Sequence, residues 1–366
     1  MIRVLVVDDS ALVRKLFGAV LSAEAGFEVR FARNGVEALD ELEVFKPDVV
    51  TLDVQMPTMN GLECLDRIMV QRPCPVVMVS SLTGEGADAT LQALGLGAVD
   101  FVAKPEGAVS LRMDAFAPML VEKVRAAATA KLRASRRLRE RVQHRIGGIA
   151  PRPAAKGAGS APGGKTRAAP GDGLVLVGTS TGGPPALEAL LTGLPAHFPW
   201  PILIAQHMPE NFTGPLARRL DAMCAIRVME VRQPQVLAAG CAYIGRGEAD
   251  LVVSRRGAGM VAMAAPAKAD YPWHPSTDRL VQSAMTHMAA DRLVGVLMTG
   301  MGNDGAQAMT RLHAQGGRTI AEAESTAVVW GMPGELVKAG GADWVVPLPE
   351  IAERLLQITP IHAAHS

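Results

Sequence analysis

The stretch Leu174-Val175-Leu176-Val177-Gly178-Thr179-Ser180-Thr181-Gly182-Gly183-Pro184-Pro185 decides how the second half of the chain folds. Four unbroken apolar residues read as a buried strand. Glycines end that strand, prolines open the next segment, and Leu187, Leu190 and Leu191 recur on one helical face. The reading is strand, tight turn, helix. Gly178, Ser180 and Gly182 match G-x-S-x-G, a turn that lifts a serine hydroxyl above the carboxyl edge of a sheet. Small residues are needed on both sides, because a Cβ beside the serine would clash. The helix that begins here is expected to aim free N–H groups and a partial positive charge at the same spot, which suits a developing oxyanion. On its own the turn is as compatible with phosphate binding, or with no ligand, so partners elsewhere must decide.

Those partners stand at the ends of other strand patterns. Pro201-Ile202-Leu203-Ile204-Ala205 leads to Gln206-His207-Met208-Pro209, and Val294-Gly295-Val296-Leu297-Met298 leads to Thr299-Gly300-Met301-Gly302-Asn303-Asp304-Gly305. Further strands are expected around Arg227–Val231, Ala242–Ile244, Leu251–Ser254, Met260–Ala264 and Thr319–Ala321, with helices over 184–194, around Gly214–Arg219 and from Asp278 to Ala290. Polar groups at strand ends can converge in one crevice, so Ser180, His207 and Asp304 form a candidate serine–histidine–aspartate set. A histidine, titrating near neutrality, can take and return the serine proton, and an aspartate can fix its tautomer. The chain order Ser, His, Asp differs from the Ser, Asp, His order of α/β-hydrolases. His274, in His274-Pro275-Ser276-Thr277-Asp278, is a rival base for which a structural or substrate-contact role is favoured. Thr181 follows the serine and its N–H is a candidate oxyanion donor. No His/Cys/carboxylate spacing here supports a metal.

The first half repeats the strand-end logic. Val4–Val7 ends on Asp8-Asp9-Ser10, Val49–Leu52 on Asp53, Val76–Val79 on Ser80-Ser81, and Val99–Val102 near Lys104-Pro105, with a strand at Val29–Phe31 and helical patterns between. Strands alternating with helices predict a parallel sheet covered on both faces. Three carboxylates, Asp8, Asp9 and Asp53, meeting in one crevice repel one another and call for a hard cation such as Mg²⁺. A carboxylate beside that ion and a lysine can attack a phosphoryl group, and Asp53, central in the set, is the candidate acceptor with Lys104 offsetting charge.

The chain has 366 residues, 49% hydrophobic and 20% charged, enough for two cored domains. The net charge of +1 is unevenly spread. From Lys123 to Arg167 there are thirteen Lys/Arg against Glu140 alone, near +12, which leaves the remainder near −11. The stretch is Ala- and Arg-rich, with a helix continuing toward Ile146, and from Gly147 to Gly173 it is mostly Gly, Pro, Ala, Ser and basic residues. It reads as a solvated tether, and without interleaved aromatics or a DNA-reading element no nucleic-acid partner is expected. Domains are accordingly expected over 1–122 and 173–366, with the linker over 123–172. The four cysteines show no paired spacing, and no signal peptide or membrane-length apolar run is present, so a cytoplasmic chain without membrane insertion is expected.

The first half resembles the receiver domain of two-component response regulators, through Val7-Asp8-Asp9-Ser10, Leu52-Asp53-Val54-Gln55-Met56-Pro57 with Gly61, Val79-Ser80-Ser81 and Phe101-Val102-Ala103-Lys104-Pro105. The resemblance implies a flavodoxin-like α/β fold with a five-stranded parallel sheet. It implies phosphorylation of Asp53 by a chemotaxis histidine kinase, and Mg²⁺ held by Asp8, Asp9, Asp53 and the carbonyl of Gln55. It makes Ser80 and Phe101, with Lys104, the switch, although core packing is an alternative for Phe101. The second half is similar to the catalytic domain of the bacterial chemotaxis protein-glutamate methylesterases, the CheB family. The motifs around Ser180, His207, Ser276 and Asp304 carry this, with Gly331-Met332-Pro333. It implies a doubly wound α/β domain without a cofactor, a triad of Ser180, His207 and Asp304, and Met301 as the second oxyanion donor beside Thr181. The implied substrates are glutamyl methyl esters on methyl-accepting chemoreceptors, with deamidation of receptor glutamines as a second reaction. A monomer is expected, with the receiver covering the Ser180 crevice until Asp53 is phosphorylated. The alternatives are an esterase or deamidase of another signalling system, or a response regulator whose second domain only binds a partner.

Overall fold

The computed structural model describes residues 1–104, 113–131, 173–257 and 259–359. The chain divides into two compact units, Met1–Ala161 and Pro162–Ser366. Pro105 and the expected linker beyond residue 131, including the helix toward Ile146, lie outside the described residues.

In the first unit, five short strands alternate with helices: β1 (Ile2–Val7), β2 (Phe27–Ala32), β3 (Val49–Asp53), β4 (Val76–Ser80) and β5 (Asp100–Ala103). They form one parallel sheet in the order β2-β1-β3-β4-β5. β3 and β4 are buried along their whole length, as near-continuous apolar runs in a sheet covered on both faces must be. Polar residues just past the strands start the helices. Ser10 accepts from the Val13 amide, Asn34 from Val36 and Glu37, Asn60 from Glu63, and Thr83 from Gly86. β1 has β2 on one side and β3 on the other, so the order reverses there and the crevice opens above its carboxyl end. Asp8 and Asp53 are delivered to that point. The last helix, Met113–Ala128, runs past the expected boundary at 122.

The second unit contains β6 (Leu174–Thr179), β7 (Ile202–Gln206), β8 (Arg227–Val231), β9 (Gln235–Val236), β10 (Cys241–Gly245), β11 (Ala249–Arg256), β12 (Gly259–Pro266), β13 (Leu293–Leu297), β14 (Arg318–Glu322) and β15 (Trp344–Val346). Seven of them form a parallel sheet in the order β15-β14-β13-β6-β7-β10-β8. β11, β12 and β9 form a separate antiparallel sheet. β6 is buried throughout and sits where the strand order reverses, with β7 on one side and β13 on the other. Ser180 follows β6, His207 follows β7, and Asp304 lies in the loop after β13. The helix expected around Gly214–Arg219 is longer, Glu210–Met223, and holds Pro215 within it. Proline marks a boundary in a sequence, yet here it lies more than one turn inside the helix, where it withholds one amide from the i→i−4 ladder. The short strands β9 and β15 carry too little periodic signal in the sequence to have been expected, whereas the helix Leu348–Ile358 was not among the expected elements although Ile351, Ala352, Leu355 and Ile358 recur on its one buried face. Among the described residues no helix is long and apolar enough to cross a membrane.

Candidate active site

Ser180 is half-buried at the end of β6 and is fixed by its backbone. Its amide donates to the Thr299 carbonyl at 3.0 Å, and its carbonyl accepts from the Gly183 amide at 2.8 Å. Gly182 takes a φ of 76°, a left-handed turn that L side chains rarely adopt, and the helix Gly183–Thr192 begins directly after it. The expectation that this helix supplies free N–H groups is corrected here. Pro184 and Pro185 carry no N–H, Gly183 is bonded to Ser180, and the Ala186 amide donates to Gly182 at 3.4 Å. The expected oxyanion donors, Thr181 and Met301, both lie outside that helix, one in the turn before it and one in the loop after β13. In that loop the Met301 amide donates to no acceptor among the described residues.

That loop reaches the serine because residue 300 is glycine. A Cβ on Gly300 would lie 2.3 Å from Met332 Sδ, 2.9 Å from Ser180 Cβ and 3.1 Å from the Ser180 amide nitrogen. The loop is tied down by groups that a motif search passes over. The Thr299 amide donates to Glu322 at 2.8 Å, and its hydroxyl donates to the Thr181 carbonyl at 2.9 Å. Gln206, 1% exposed, donates from its side-chain amide to the carbonyls of Ser180 at 3.0 Å and His207 at 3.1 Å, and so couples the two segments.

His207 and Asp304 meet as expected. His207 Nε2 is 2.8 Å from Asp304 Oδ2, and both side chains are buried. His207 Nδ1 is buried and has no partner among the described residues. With Asp304 accepting from Nε2–H, the basic lone pair is on Nδ1, the reverse of the nitrogen assignment in the chymotrypsin template. Asp304 accepts three more hydrogen bonds: Thr277 N–H at 2.6 Å on Oδ2, with Ser276 hydroxyl at 3.0 Å and Asp278 N–H at 3.1 Å on Oδ1. Ser276 also caps the helix Thr277–His287 through the Arg279 amide, so Asp304 sits at the positive end of that helix. Burial pushes the Asp304 carboxyl up, but the His207 contact and the Thr277 and Asp278 amides outweigh it and hold the group below its ordinary value. Asp278, hydrogen-bonded to the Ala308 amide, is raised by burial and by the Asp304 charge.

His274, the rival base, pairs with a different acid. Its Nδ1 is 2.9 Å from Asp250 Oδ1, and Asp250, 1% exposed, also accepts from the Ser276 amide at 2.8 Å and pairs with Arg279. Asp250 was not among the expected site residues, because a single acid at the start of the strand Ala249–Arg256 forms no pattern in the sequence.

The receiver residues also converge. Lys104 Nζ lies 2.7 Å from Asp53 Oδ2 and 3.1 Å from Asp8 Oδ2. Carboxylate oxygens of Asp8, Asp9 and Asp53 all lie within 4.8 Å of one another. Burial pushes the Asp53 carboxyl up to about 6, with the Asp8 charge adding and Lys104 opposing. For Lys104, burial lowers the ammonium but Asp53 and Asp8 outweigh it, so the net shift is upward. This all-oxygen set, with a buried carboxylate that carries excess negative charge, fits a small hard divalent cation. The Gln55 amide donates to Asp53 Oδ1 at 3.3 Å. The Ser80 hydroxyl donates to the Gly86 carbonyl at 3.1 Å. Phe101 is 3% exposed beneath the Lys123 ammonium, 5.2 Å from its ring centroid.

Comparison with known proteins gives two family matches. Residues 175–355 match the model of the CheB methylesterase, and residues 4–115 that of the response regulator receiver domain. A protein-glutamate methylesterase/protein-glutamine glutaminase of Rhodopseudomonas palustris is 58% identical over 98% of each chain. Similarly named proteins of Rhodospirillum rubrum (49% identical over 97% of this chain and 95% of that one) and Carboxydothermus hydrogenoformans (41% over 98% and 99%) also align.

Proposed function

The chain belongs to the CheB family of protein-glutamate methylesterases, and from that membership we propose that Ser180 hydrolyses glutamyl methyl esters of chemoreceptors, and deamidates receptor glutamines, under control of phosphate on Asp53. The observation that carries the reading is the buried 2.8 Å His207–Asp304 contact, with Gln206 tying the His207 backbone to that of Ser180 and with Nδ1 unpartnered among the described residues.

In the esterase reaction His207 Nδ1 takes the hydroxyl proton as Ser180 Oγ bonds to the ester carbon. The negative charge on the carbonyl oxygen is met by the amides of Thr181 and Met301. Asp304 faces the imidazolium that forms. His207 returns the proton to the departing oxygen, and methanol leaves. Water then repeats the sequence on the acyl-serine, freeing the glutamate and the Ser180 hydroxyl. With a glutamine substrate, ammonia leaves in place of methanol.

Asp8, Asp9, Asp53 and the Gln55 carbonyl would hold Mg²⁺, which offsets charge on the phosphoryl oxygens during transfer. Lys104 holds Asp53 and Asp8 in place and adds a second positive charge. Ser80 and Phe101 report the modification. The phosphodonor is a histidine kinase and the substrates are receptor cytoplasmic segments, which puts the protein in the cytoplasm, as a monomer without nucleic-acid binding. The receiver domain runs from residue 1 through the helix that ends at Ala128, past the expected 122, and the basic linker joins it to the catalytic domain over 173–366. Methanol release from methylated receptor fragments tests the reading: the wild type releases it, and Ser180→Ala with an intact fold does not. Equal release by both would remove Ser180 from the reaction.

A further inference from the structure

Trp273 lies against the histidine. Its ring is nearly parallel to the His207 imidazole, with centroids 5.9 Å apart and planes inclined by 8°. This is the separation and orientation of an offset aromatic stack. The loop that carries Asp304 also closes on the indole. Gly302, at a φ of 78°, would place a Cβ 2.8 Å from Trp273 Cζ2. The next residue, His274, is anchored to the buried Asp250, as is the Ser276 amide. The segment 273–278 thus touches the triad twice, with Trp273 on the His207 ring and the residues from Ser276 to Asp278 on the Asp304 carboxylate.

We infer that Trp273 is a positioning residue for His207: its indole fixes the plane of the imidazole and stabilises the imidazolium formed during proton transfer. A single bond to one carboxylate oxygen does not define a ring plane, because the imidazole can still pivot about the Nε2–Oδ2 line. A face packed along the ring removes that freedom, and the electron-rich indole face favours the charged form over the neutral one. The interaction is stronger in the transition state than in the ground state, so it acts on kcat. The inference rests on His207 as the base. The charged and titratable groups around the stack are Asp304 on Nε2, Asp278 within reach of the Asp304 charge, and the Asp250–Arg279 pair with His274.

Two readouts on the full chain test it. The first needs no substrate. A protonated imidazole quenches an excited indole in contact with it, so wild-type emission should fall in one step on acidification, as the His207 ring gains its proton. Trp273→Phe and His207→Gln should each abolish that step, and His274→Gln should leave it. A step that survives His207→Gln, or no step in the wild type, overturns the stack. The second is kinetic. Trp273→Leu should lower kcat by about 2- to 30-fold with KM little changed, and Trp273→Phe should recover most of it. A rise in KM at unchanged kcat would make Trp273 a substrate contact and overturn the inference. If methylesterase activity itself were absent, the emission experiment would still decide the contact.

Discussion

Replacing Asp304 by asparagine separates its charge from its shape. The carboxylate accepts from Thr277 N–H and His207 Nε2–H on Oδ2, and from Ser276 hydroxyl and Asp278 N–H on Oδ1. An asparagine has one acceptor and one donor in those places. With its NH₂ at the Oδ2 position it opposes the 2.6 Å Thr277 donor and forces the proton of His207 onto Nδ1. With its NH₂ at the Oδ1 position it opposes only the longer Asp278 bond, and the Ser276 hydroxyl can rotate to accept. The second orientation loses less, so the histidine tautomer is expected to survive. One buried N–H is left unpaired, which costs about 1–3 kcal/mol of folding stability. Catalysis loses the carboxylate charge opposite the imidazolium. Two unit charges roughly 4 Å apart at an effective dielectric constant of 20 interact by about 4 kcal/mol, on the order of 10³-fold in kcat. KM is expected to stay near its wild-type value, because the charge pair forms only as the serine proton is transferred. The assay is steady-state methanol release alongside chemical denaturation. A loss of kcat below about tenfold in a folded variant would refute a charge-stabilising role for Asp304.

The receiver carboxylate gives a pH signature in the first unit. The folded value of Asp53, about 6, lies above the ordinary carboxylate value of about 3.9, so the folded state binds this proton more tightly than the unfolded state. Its contribution therefore becomes unfavourable as pH rises from about 4 through 6, by up to about 3 kcal/mol. In chelator, Asp53→Asn should raise the melting temperature of the receiver unit at pH 7.5 and much less at pH 4.5, and Mg²⁺ should stabilise the wild type more than the variant. Equal melting at both pH values would contradict the burial argument. In the second unit, Gly300→Ala should lower kcat by about 10²-fold or more while the fold persists, because the added Cβ displaces the Ser180 backbone. Unchanged kcat would show that the loop gives way without moving the nucleophile.

Much of this architecture is legible in the sequence because parallel strands buried on both faces are written as short unbroken apolar runs. Their ends are where polar residues gather. Asp8, Asp53, Ser180, His207 and Asp304 could all be placed by that rule alone. The geometry between them could not. Which ring nitrogen of His207 faces Asp304 depends on the approach of two loops far apart in sequence. The donors on Asp304 come from a helix start whose cap, Ser276, looks like any other N-terminal serine. The helix after Ser180 is a different lesson. Pro184 and Pro185 mark where it begins, and the same residues remove the amides that an oxyanion would use. That conclusion needed only a count of donors along the turn. Trp273 and Asp250 stayed silent because a single aromatic or acid next to a strand has no periodicity, and contacts across the fold give each its role.

The most direct test of the account is methanol release from methylated receptor fragments, with Mg²⁺ and a small phosphodonor present or absent, in wild type and Asp53→Asn. The account predicts that phosphodonor accelerates the wild type and leaves Asp53→Asn at its basal rate. Equal acceleration of both proteins, or none in a wild type shown to carry phosphate on Asp53, would contradict it.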